Sequence, residues 1–264
     1  MRLGTTMNEL HERVAHCRGE IEALSKSIET WAERAITYCE YPYPHAAIAE
    51  VKAYSISGRQ HAEPPIGLRS ATGMIANELR ACLDGLACTL ADRHSGGHAG
   101  TYFPISKTQA IFEDDGRKKM KRLSPSDQVT IAALKPYGGG DSNLFGLHEL
   151  DRNRKHIRLG RTATHGGVAL GGDPPALILE TFEHGEFRDI TVNGVHIEQL
   201  SVNTTQFPEL EERIVVLEGI PLELEARPLP TLVFAEPPQL HGERVDEWLG
   251  LVADRVEQIV ALFD

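Results

Sequence analysis

No stretch of about 18 consecutive apolar residues occurs anywhere in this 264-residue chain, so no transmembrane helix is expected. The opening MRLGTTMNELHERVAHC also lacks an apolar run that could form the core of a signal peptide. The expected location is therefore cytoplasmic. Cysteine is scarce. Cys17, Cys39, Cys82 and Cys88 form no CxxC pair and fall in apolar helical patterns, where a reduced thiol acts as a small hydrophobe, so buried, inert thiols are expected. Aromatic residues are only 6% of the chain, which leaves few rings on which bases could stack.

The common signatures of enzymes are missing as well. There is no HExxH and no GxSxG, and Gly138-Gly139-Gly140 is not followed by the Lys-Ser/Thr of a phosphate loop, so it reads as a hinge between helices. Asp114-Asp115-Gly116 lacks the other ligands of a calcium loop. His94 and His98 have glycines between them and no carboxylate cluster nearby in sequence. No metal and no cofactor is expected.

What the chain does have is ordinary globular composition, 41% hydrophobic and 25% charged, with a very uneven distribution of charge. The formal net charge is -11. Residues 1–116 carry 11 basic and 15 acidic side chains, residues 117–161 carry 11 and 4, and residues 162–264 carry 5 and 19. A basic middle segment in an acidic chain suits either an anionic ligand or neutralisation by the chain's own carboxylates.

The first helix is the clearest element. Met7, Leu10, Val14, Cys17, Ile21, Leu24, Ile28, Trp31 and Ala35 alternate spacings of three and four, and Thr6 with Glu9 forms a capping box. Tyr41-Pro-Tyr-Pro44 stops the helix, and a strand is expected around Ile48 to Ile56. Such a long stripe serves either as a coiled-coil seam between protomers or as one arm of an intrachain hairpin. The second arm starts at Pro64-Pro65, continues through Leu68, Ile75, Leu79, Cys82, Leu86 and Leu90, and ends near Arg93. Arg80 and Asp84 are spaced for an i,i+4 ion pair.

A loop through Phe103-Pro-Ile105 and the basic run Arg117 to Arg122 leads to a helix capped at Ser124-Pro125-Ser126-Asp127. Another helix follows, capped by Asp141 or Ser142. From about Leu159 the pattern has period two, with short strand candidates and an Asn193-Gly194 hairpin signal. A final helix from about Glu243 sets Val245, Trp248, Val252, Val256, Ile259 and Phe263 on one face. The expected fold is α+β: a helical bundle over 1–160, an antiparallel β-rich part over 161–240, and a C-terminal helix over 241–264 that returns to the bundle.

The chemistry concentrates in LHELDRNRKHIRL, residues 147–159. Helical spacing puts His148, Arg152 and His156 on one ridge, with Asp151 and Lys155 beside it and Leu147, Leu150 and Ile157 turned to the bundle. Metal-free RNA cleavage needs a base, an acid and a fixed cation, and His148, His156 and Arg152 supply those types. Arg154, Lys155 and Arg158, with Arg117, Lys118, Lys119, Lys121 and Arg122 from the earlier run, would form an anion-binding footprint.

The segments ELRACLDGLA (78–87), FPI (103–105), LKPY (134–137) and LHELDRNRKHIRL together resemble a family of uncharacterised bacterial and phage proteins over roughly residues 65–160. That resemblance implies no activity. The chain is more distantly similar to the HEPN class of helical-bundle ribonucleases, whose motif is an arginine followed after four to six residues by a histidine. Arg152 and His156 have three residues between them; Arg93 and His98, the alternative pair, have four. A homodimer through the first helix would suit a binding protein or a nuclease alike, and in that class sites often form at such an interface. Two functions are therefore expected: a binding protein with a basic surface for RNA or another phosphate-bearing ligand, or a metal-independent ribonuclease.

Overall fold

The computed structural model describes residues 6–42, 51–60, 64–155, 162–170, 177–179, 185–192, 195–207, 212–221 and 226–264. The chain divides into two compact units, one made of 1–27, 65–162 and 233–264, the other of 28–64 and 163–232.

Helices dominate the first unit: α1 (Met7–Ala35, which begins here), α2 (Ile66–Ser95), α3 (Gln109–Ile111), α4 (Arg117–Met120), α5 (Pro125–Ala133), α6 (Ser142–Lys155) and α7 (Val245–Ala261). The expected stripe of α1 is buried at Leu10, Val14, Cys17, Ile21, Leu24 and Ile28, and that of α2 at Leu79, Cys82, Leu86 and Leu90. The apolar face of α7 is equally enclosed, at Val245, Val252, Val256 and Ile259. Each such aliphatic side chain contributes about 1.5–3 kcal/mol on burial, and this is what holds the bundle.

Polar contacts fix the helices in register. Arg13 Nε donates to Glu78 Oε1 at 2.6 Å between α1 and α2, and Arg18 pairs with Asp254 at 2.9 Å between α1 and α7. The α1 stripe is thus covered within the chain, as an arm packed on other helices of the same chain.

Local signals explain the helix ends. The Thr6 hydroxyl accepts from Glu9 N at 3.2 Å, Ser124 Oγ accepts from Asp127 N at 3.1 Å, and Asp141, rather than Ser142, caps α6 by accepting from Leu144 N at 2.9 Å. Gly96 closes α2 in the left-handed region with φ 68°, as a residue without Cβ can. The Gly138-Gly139-Gly140 stretch is a tied turn rather than a hinge. Gly138 N donates to Ser106 O, Gly140 N to Tyr137 O and Asp141 N to Lys135 O.

Strands make up most of the second unit: β1 (Ile36–Pro42), β2 (Val51–Gln60), β3 (Thr162–Leu170), β4 (Leu177–Leu179), β5 (Gly185–Val192), β6 (Val195–Phe207), β7 (Glu212–Pro221) and β8 (Ala226–Phe234). The order β1-β2-β7-β6-β5 forms one sheet and β4-β3-β8 another. Antiparallel registers such as Ile56↔Val215, Thr204↔Val215 and Ile190↔Ile197 define the larger one. Residues 36–60 thus join strands from beyond residue 161, so the β-rich part is not confined to 161–240. Cys39 accordingly lies in β1 instead of a helix. The Asn193-Gly194 turn lies outside the described residues.

Candidate functional site

The site is built on α2. Arg80 and Asp84 do form the expected i,i+4 pair, 3.0 Å apart, but not as a surface ornament. Arg80 is only 9% exposed, and together the two side chains grip the backbone of one residue. Arg80 Nη2 donates to Phe103 O at 2.7 Å, and Asp84 Oδ1 accepts from Phe103 N at 2.9 Å. A buried pair survives when its remaining hydrogen-bonding capacity is met, and here the backbone of Phe103 meets much of it. The grip sets the course of residues 103–107.

From the other side that segment is bridged to the turn after α5. Ser106 N donates to Pro136 O at 3.0 Å and Gly138 N to Ser106 O at 3.1 Å. A Cβ at Gly138 would stand 2.5 Å from Lys107 O, so glycine is required for the two segments to approach. On the far side, Arg122 Nε donates to Ala99 O at 3.1 Å and anchors the loop that follows α2.

Between these walls lies an open groove of about 520 Å³, within the range of small-ligand sites. Ala99, Gly100, Ile105 and Ile111 supply apolar wall. Lys107, Lys118, Lys119, Lys121 and His148 supply positive or potentially positive charge, and Asp115 is the one carboxylate. Lys107, Lys119 and Lys121 make no ion pair among the described residues.

Half of the expected basic run is differently employed. Residues 109–120 are helical rather than a loop, with a π-helical turn at Phe112–Gly116. Helical spacing brings Glu113 to Arg117 at 2.6 Å and Asp114 to Lys118 at 2.7 Å, with Asp115 3.1 Å from Lys118 as well. Hydrogen bonds that Lys118 donates to Asp114 and Asp115 raise its pKa. Arg117 and Lys118 are therefore answered locally, and Arg122 serves the loop; of the run's three groove lysines, Lys119 and Lys121 have no ion pair among the described residues.

The opening ridge of α6 is also resolved into parts. Leu147 and Leu150 are buried as expected. Asp151 is buried too, at 3% exposure, and accepts from Asn77 Nδ2 at 3.1 Å. Arg152 donates to the buried Glu149 at 2.6 Å. His148 is half-buried and forms part of the groove wall. Its pKa is pushed down to about 4, first by burial, then by the positive fields of Arg80, Arg152 and Lys119, with Asp151 opposing. His148 is thus a neutral imidazole at pH 7. The side chains of Asn153, Arg154 and Lys155, and His156, Ile157 and Arg158 entirely, lie outside the described residues.

In the alternative pair each side chain has a partner of its own: Arg93 Nη1 donates to Phe263 O at 3.0 Å, and His98 Nδ1 is 2.8 Å from Asp92. Among the described residues no three His, Cys, Asp or Glu side chains gather in a way that could hold a metal, and no helix is long and apolar enough to cross a membrane. Cys17 and Cys82 are buried, with thiol pKa values raised to about 12 and about 11 by burial.

Lys107 and the Arg80–Asp84 grip escaped the sequence reading. Lys107 is a lone lysine in a loop, and nothing in a one-dimensional pattern reveals that a helical ion pair will clamp a residue 19 positions downstream of Asp84. No protein-family model matches this chain, and no curated protein or solved structure is significantly similar to it.

Proposed function

We propose that this chain is a binding protein that holds a phosphate-bearing ligand in the groove between the 99–107 segment, α4 and α6. The observation that carries the reading is the placement of Lys107, Lys119 and Lys121 on one concave surface without carboxylate partners among the described residues. Three ammonium groups so near one another repel, and an anion between them relieves the repulsion. Their fields are stronger in a concavity with apolar walls than on a flat surface.

The walls favour phosphate over base recognition. Ile105 and Ile111 are aliphatic and no aromatic ring among the described residues lines the groove, so those residues give bases no stacking platform. Contacts to phosphate give affinity with little sequence preference. Among the described residues His148 is the one imidazole in the lining. Phosphodiester cleavage needs an acid as well as a base, and the reading stops at binding.

Fluorescence anisotropy with a labelled short oligouridylate, and competition by inorganic pyrophosphate, tests this and separates the two sources of phosphate. Lys119→Ala with Lys121→Ala should weaken binding and flatten its dependence on log salt by about 1–2. Effective competition by pyrophosphate would assign the site to small phosphates; its failure alongside tight oligouridylate binding would assign it to RNA. Equal affinity of the double variant and the parent protein would overturn the proposal.

A further inference from the structure

We propose that His148 is the proton switch of the groove: it takes up a proton when an anion enters and gives the proton back when the anion leaves. The inference rests on the groove being the anion site. His148 is half-buried on α6 and forms part of the groove wall beside Lys119. An ammonium there would be charged whether or not the groove was filled, whereas an imidazole can be neutral in one state and charged in the other.

The groups around it make the empty groove hostile to a proton. From α2 comes Arg80, nine-tenths buried, with Nη1 lacking a hydrogen-bond partner among the described residues. From α6 come Arg152, four residues on, and Asp151, the only opposing charge among the influences on the imidazole. From α4 comes Lys119, which both acts on His148 and lines the groove with it. Lys107, Lys118 and Lys121 add positive charge around the cavity, and Asp115 is occupied by Lys118.

An anion lodged against these cations reverses the local sign. Its charge offsets Lys119 and the other lysines, and it can accept a hydrogen bond from an imidazolium N–H. The proton comes from solvent, binds the unprotonated ring nitrogen, and returns to solvent on release, with no bond to the ligand made or broken. Binding and protonation are then linked, so each strengthens the other. Lowering the pH should tighten the complex, by at most about tenfold per pH unit for one coupled proton.

The probe must not titrate itself. The phosphodiesters and bases of a short oligouridylate keep constant charge across the useful window of about pH 4.5–7, whereas phosphate monoesters gain a proton within it. The imidazole signals of the full chain labelled at histidine are followed by NMR against pH, without and with saturating oligouridylate, and His148 is identified by the signal missing from His148→Gln. The expected result is a His148 titration midpoint displaced to higher pH by ligand, with affinity rising as pH falls. An unmoved His148 midpoint in a complex that Lys119→Ala with Lys121→Ala weakens would overturn the switch and leave the binding site standing. Absence of binding, or binding indifferent to the lysines, would overturn the site and the switch together.

Discussion

Single side chains in this protein take their roles from where the helices place them more than from their type. His148 shows this in its own contribution to stability. Its folded pKa of about 4 lies below the ordinary 6.5, so the unfolded chain binds the proton first as pH falls. The folded state therefore has its full stability above about pH 6.5 and loses some as pH drops toward about pH 4, when the unfolded imidazole is charged and the folded one is not. Urea midpoints measured across that range should fall less steeply for His148→Gln than for the parent chain; parallel curves would mean that His148 is not held neutral.

The Arg80–Asp84 pair is a second case at this scale. Arg80 is buried and Asp84 only partly so, so removing Arg80 costs about 1–3 kcal/mol in lost hydrogen bonding, and it also frees the carbonyl of Phe103. Arg80→Ala should lose stability of that order and weaken anion binding in the same variant. The Arg80→Ala, Asp84→Ala double variant should lose less than the sum of the two single changes. Additive losses in denaturant unfolding would show that the pair does not act as one clamp.

Elements are held at distances that certain residues alone permit. A Cβ at Gly146 on α6 would lie 2.8 Å from both Leu240 Cδ2 and Trp248 Cζ2, so Gly146→Ala overpacks the approach of α6 to α7. Alanine's helix propensity would return at most about 1 kcal/mol, against about 1–3 kcal/mol for overpacking, and the variant should unfold at lower urea. Increased stability would show that the α6–α7 contact is loose.

Between α1 and α7, His11 Nδ1 is 2.7 Å from Glu257 and Nε2 is 3.2 Å from Asp264. Hydrogen bonds to Asp264 and Glu257 raise its pKa. A raised folded pKa gives stability that is complete below the ordinary value and lost as pH climbs through the folded one. Amide exchange in the first turns of α1 should therefore speed up above neutrality in the parent chain, and His11→Ala should remove that added dependence. Identical pH profiles for the two would exclude a role for the clamp.

At this scale much of the fold was legible in the sequence. The apolar stripes of α1, α2 and α7, the Ser124 cap and the α6 start at Asp141 follow from local periodicity and capping. The helical setting of Arg117–Met120 was not legible, because a basic run carries no amphipathic stripe. Its effect, the pairing of Glu113 and Asp114 with the cations one turn later, was hidden with it. The pairing of β2 with β7 was hidden for a different reason: it joins positions such as Ile56 and Val215 that no local pattern connects.

For the whole molecule, the notable fact is a positive concavity in a chain of net charge -11. A chain of that net charge repels phosphate at a distance, so the proposed recognition would act within about one Debye length, roughly 8 Å at physiological salt. The sequence marked residues 117–161 as the basic segment correctly. It could not tell which cations would be answered by carboxylates, because that depends on helical register and on Lys107 arriving from another segment.

The most direct measurement is lysine footprinting: acetylation of the native chain by a small reagent, with and without saturating oligouridylate, read by mass spectrometry. The account expects Lys107, Lys119 and Lys121 to be protected together and Lys135, exposed and outside the groove, to react unchanged. Ligand bound with all three groove lysines reacting at their free rates would contradict it.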